Sequence, residues 1–83
     1  MKAVSLTSNQ KLEYLTLKTP ELKEDECLIR VKAVGVCSSD IYRGFENGAY
    51  FYPLIMGHEF SGEIVELGSS CSSNSRLGDR VTI

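Results

Sequence analysis

Tryptophan is absent from this 83-residue chain, histidine occurs once, and there are only two prolines and three cysteines. The lone histidine, His58, confines any imidazole chemistry to one position. Cys27, Cys37 and Cys71 are odd in number and contain no CxxC pair, which does not suit a secreted disulfide framework and points to reduced thiols in a cytoplasmic protein. Positive charge is not in excess: nine Lys and Arg against eleven Asp and Glu leave a net charge of −2. That balance offers no stripe for a phosphate backbone or anionic lipid, so neither nucleic acid nor membrane is an expected partner. Apolar runs are no longer than a strand, and residues 1–6 show no signal-peptide pattern. No Gly-x-Gly-x-x-Gly follows a strand, so a Rossmann domain is missing from these residues.

What is present is ordinary globular composition, 42% hydrophobic and 24% charged. One small domain is the most such a length holds, with a thin stability margin unless a metal assists. Lys2 to Leu6 and Leu12 to Lys18 alternate around Thr7-Ser8-Asn9-Gln10 and predict a hairpin, closed off by Thr19-Pro20. Cys27 to Val36 predicts a strand with Ile29, Val31 and Ala33 on one face and Leu28, Arg30, Lys32 and Val34 on the other, broken by Gly35. Ser38-Ser39-Asp40 supplies N-cap chemistry for a short helix through Arg43, and Gly44 to Pro53 reads as an irregular loop. Phe60 to Leu67 is a further strand with Gly62 at a bulge or close-packing position, Gly68 to Ser75 is a solvated turn, and Arg80 opens a last strand. The elements are nearly all β. Val81 and Ile83 alternate with no turn or polar tail behind them, so the expectation is an incomplete chain with an aggregation-prone edge.

Cys37, His58 and Glu59 are the side chains with metal-binding chemistry that context brings together. A thiolate, an imidazole and a carboxylate make a donor set that zinc accepts, with a fourth position left for water or substrate. Spacing alone is weak evidence, because a Cys followed 21 residues later by His-Glu arises often by chance. Cys27 and Cys71 are expected to be structural and solvent-side, respectively.

The local wording is more specific. Gly35-Val36-Cys37-Ser38-Ser39-Asp40, Gly57-His58-Glu59-Phe60-Ser61-Gly62 and Gly78-Asp79-Arg80-Val81 resemble, in order, the N-terminal domain of zinc-dependent medium-chain alcohol and polyol dehydrogenases, over nearly the whole chain. The resemblance implies a GroES-like, partly open β-barrel with one short helix, of which residues 1–83 are the N-terminal part. It implies Cys37 and His58 as catalytic-zinc ligands. Glu59 completes the site in sorbitol-dehydrogenase-like members and stands behind the metal in others. Ser39 matches the hydroxyl that takes the proton of the bound alcohol, against the simpler reading of an N-cap serine, and Asp40 matches an aspartate that orients the histidine. Tyr42, Arg43, Tyr50, Phe51 and Tyr52 are candidates for lining a cleft and receive no catalytic part. Gly78-Asp79-Arg80 marks a tight turn before a strand.

The implied reaction is reversible oxidation of a secondary alcohol, a polyol or polyol phosphate, by NAD or NADP in a homodimeric or homotetrameric parent enzyme, with the 83 residues alone inactive. Asn47 to Pro53 and Met56 to Gly62 look most like galactitol 1-phosphate dehydrogenases. Two competing readings are a non-catalytic GroES-like co-chaperonin module and a zinc-free quinone-reductase relative; both predict no bound zinc.

Overall fold

The computed structural model describes residues 1–71 and 74–83, and the side chain of Asn47 lies outside the description. The chain is mainly β and divides into two compact units, Met1–Thr19 with Val36–Gly57, and Pro20–Gly35 with His58–Ile83.

The first unit holds strands β1 (Lys2–Ser8), β2 (Lys11–Thr16) and β4 (Leu54–Ile55) in the order β2-β1-β4. The hairpin expected from alternation is present, with Thr7 and Ser8 in the strand and Asn9-Gln10 alone at the turn, where Gln10 takes a φ of 62°. Lying between two strands buries the middle of β1: Leu6 is fully enclosed and Ser5 is 1% exposed, its hydroxyl donating to the Leu54 carbonyl at 3.4 Å. β4 is only two residues long, too short for any periodicity, and lies outside every element expected from the sequence.

Helix α1 (Ser38–Tyr42) runs directly into a π-helical turn, Arg43–Asn47. This corrects the irregular loop expected from Gly44 onward: glycine and asparagine are breaker signals, yet the helical path continues for five residues before Gly48 leaves it at φ 70°.

The second unit is a sheet of β3 (Cys27–Gly35), β5 (Glu59–Leu67) and β6 (Arg80–Thr82), ordered β3-β5-β6 and antiparallel throughout. Gly35 does not break β3 but ends it, paired with Glu59. The ladder slips twice, with Val65 the extra residue on β5 opposite Leu28 and Ile29 and Lys32 the extra residue on β3 between Val31 and Ala33, so the two clean faces expected of β3 are not maintained past Lys32. Gly62 lies at the second slip, where a Cβ would fall onto the Arg30 carbonyl oxygen, so the expected close packing is present. Ile64, 4% exposed, is the buried apolar centre of this unit. Ser72 and Ser73, part of the expected solvated turn, lie outside the described residues. Gly78 turns the chain at φ 87°, with the Asp79 carboxylate accepting from the Arg76 N–H at 3.0 Å, as the Gly-Asp-Arg-Val run predicts.

The cysteine environments are the reverse of those expected. Cys27 is exposed, whereas Cys71 is half-buried and its Sγ–H donates to the Glu26 carbonyl at 3.1 Å. Glu63 meets Arg30 at 3.9 Å and Lys32 at 3.8 Å, pairs open enough to water to add little stability.

Candidate functional site

In the first unit, Cys37 is the N-cap of α1, extended at φ −83°, ψ 155°. Neither serine occupies that position: Ser38 and Ser39 are the first two helical residues and Asp40 is the third. The Asp40 carboxylate accepts from the Cys37 N–H at 3.0 Å while the Asp40 N–H donates to the Cys37 carbonyl at 3.0 Å. The Cys-x-x-Asp spacing is therefore that of an N-cap and its third helical residue, and Asp40 grips the Cys37 backbone from both sides. The capping chemistry expected of Ser38-Ser39-Asp40 thus comes from Asp40, at the third helical position rather than at the cap itself. The Ser39 hydroxyl is not used as the helix N-cap.

Ser39 lines a half-open cavity of ≈ 370 Å³ together with Tyr42, Arg43, Gly48, Ala49 and Tyr50. Three of the five residues named as cleft candidates, Tyr42, Arg43 and Tyr50, line it; Phe51 and Tyr52 do not. Tyr52 acts from behind, its phenol oxygen accepting from the Ala49 N–H at 3.1 Å and occupying the space that a side chain on Gly48 would need.

In the second unit, His58 immediately precedes β5 and Glu59 begins it, both exposed. The Glu59 carboxylate lies over Gly35, with Oε2 3.2 Å from where a Cβ there would stand. A glycine at the end of β3 thus leaves room for this carboxylate. A thiol, an imidazole and a carboxylate are donor types that zinc takes together.

The chain is thus mainly β, with a cysteine at a strand-to-helix turn and a histidine-glutamate pair at the opening of β5. The family description "Alcohol dehydrogenase GroES-like domain" matches residues 23–83, and the chain belongs to that family. Sorbitol dehydrogenase of Bacillus subtilis (strain 168) is 40% identical over 87 residues, covering 100% of this chain and 24% of that protein. Among solved structures, galactitol-1-phosphate dehydrogenase from Escherichia coli aligns with a TM-score of 0.90 and 37% identity over 99% of this chain and 24% of that one. A zinc-binding dehydrogenase from Sinorhizobium meliloti 1021, solved bound to NADP, aligns at 0.85 with 33% identity over 95% of this chain and 23% of that one. The chain thus spans about a quarter of the length of these relatives. No helix among the described residues is long and apolar enough to cross a membrane.

Proposed function

We propose that these residues are the catalytic-metal-binding part of a zinc-dependent, NAD(P)-linked dehydrogenase that interconverts a secondary alcohol of the polyol class and the corresponding ketone. Cys37, His58 and Glu59 hold the zinc. The observation that carries this reading is the Gly35–Glu59 ladder pair, which anchors the carboxylate at the end of the strand from which Cys37 follows two residues later.

When bound, zinc supplies Lewis acidity, lowering the pKa of the alcohol hydroxyl it polarises. The chain's own residues do the rest. Asp40 fixes the Cys37 backbone, so that the thiol emerges from a rigid helix start, and the family resemblance assigns it the orienting of His58. Ser39, one residue inside that start and on the wall of the cavity, accepts a hydrogen bond from the alcohol hydroxyl and relays its proton by releasing its own to water. Tyr42 and Tyr50 line the space that receives the rest of the substrate. The 83 residues contain no dinucleotide-binding fingerprint, so no residue here is assigned to hydride transfer, and turnover is expected only where a nicotinamide-binding domain accompanies them.

Cobalt substitution tests the ligand set. Co²⁺ added to the metal-free chain is expected to give a thiolate-to-metal charge-transfer band that Cys37→Ser abolishes and Cys71→Ser leaves unchanged. A band that survives Cys37→Ser contradicts the assignment.

A further inference from the structure

We infer that Arg43 is a specificity-determining residue that receives an anionic group, a phosphoryl group on the polyol, in the cavity that Ser39 also lines. The inference rests on the reading of Ser39 as the residue facing the reacting hydroxyl.

Ser39 and Arg43 are four residues apart on one continuous helical run, so they occupy one face, with Cβ atoms roughly 5–6 Å apart. Both line the ≈ 370 Å³ cavity, a volume inside the range of small-molecule sites. Among the described residues no carboxylate lines it and the Arg43 guanidinium makes no ion pair, although the helical run also carries Asp40 and Glu46. Asp40 is committed to the Cys37 N–H, and Glu46 is exposed and not part of the lining. A half-buried cation on the wall of a cavity without a counter-charge selects an anion. A guanidinium fork fits phosphate oxygens in pairs, which a neutral hydroxyl does not reproduce. Gly48 and Ala49 also line the cavity, and Tyr52 braces them from behind, accepting from the Ala49 N–H.

Isothermal titration of the zinc-loaded chain with galactitol 1-phosphate, galactitol and inorganic phosphate tests this, with zinc content measured in parallel. Galactitol 1-phosphate is expected to bind about 10-fold or more tightly than galactitol, the gain of one charge-assisted paired contact. Arg43→Gln should erase that preference while leaving galactitol binding and the amide NMR dispersion unchanged, and Arg43→Lys should keep part of it. Equal affinity for the two polyols, a preference that survives Arg43→Gln, or inorganic phosphate binding as tightly as galactitol 1-phosphate would each overturn the inference. Zinc present without a phosphate preference sinks only this inference; a phosphate preference without zinc sinks only the dehydrogenase reading.

Discussion

Replacing Gly62 with alanine tests whether the β3–β5 ladder is as tightly constrained as the structure makes it. Gly62 is buried on the central strand, paired with Val31 on one side and Val81 on the other. Its new methyl would press onto the Arg30 carbonyl oxygen and stand 2.8 Å from the Ile29 Cγ2. The oxygen is backbone and cannot rotate aside, and β6 blocks a shift of β5 the other way, so the ladder must open. Overpacking of a well-packed site costs about 1–3 kcal/mol, and a backbone obstacle belongs at or above the top of that range, about 3 kcal/mol. A chain of this length has roughly 4–12 kcal/mol of stability to lose. Gly78→Ala is the matched control. Its Cβ would have nothing within 4 Å, and only the φ of 87° opposes it, a cost of about 1–2 kcal/mol. Urea unfolding followed by tyrosine fluorescence reads both, since the chain has four tyrosines and no tryptophan. At roughly 1 kcal/mol per molar urea, Gly62→Ala should lower the midpoint by about 3 M and Gly78→Ala by no more than about half to two-thirds of that. A Gly62→Ala midpoint at or above that of Gly78→Ala would refute the reasoning.

Asp40→Ala removes the acceptor that holds the Cys37 N–H and is expected to weaken zinc binding roughly 10- to 100-fold, with Asp40→Asn intermediate because its amide oxygen still accepts; competition with a chromophoric chelator measures both. Iodoacetamide should alkylate the exposed Cys27 well before the half-buried Cys71, whose Sγ–H is engaged with the Glu26 carbonyl, as peptide mass mapping over time would show.

Elements with several alternating residues were legible: the β1–β2 hairpin, β3, β5 and the turn at Gly78 lie where their patterns place them, with ends moved by one or two residues. What escaped was decided by tertiary pairing or by chemistry outside the usual signals. β4 exists because two residues meet the open edge of β1, and no pattern two residues long announces that. The N-cap falls on Cys37, one residue before the serines that carry the ordinary capping signal, because Asp40 supplies the acceptor from the third helical position. Gly44 and Asn47-Gly48 suggested a loop, yet the helix persists as a π-turn, and that persistence brings Arg43 into line with Ser39. Periodicity never singled out the candidate ligands. Cys37, His58 and Glu59 were legible through the resemblance of the two short motifs around them, and the β3–β5 register adds a physical reason for Glu59 to stand beside the end of β3.

The most direct test of the proposed zinc site is metal stoichiometry by elemental analysis of the purified chain, under mild chelation, for wild type, Cys37→Ser and His58→Ala. The account predicts close to one zinc per wild-type chain and loss of that zinc in both variants. A folded wild-type chain that retains no zinc, or variants that keep it, would contradict the assignment of Cys37 and His58 as its ligands.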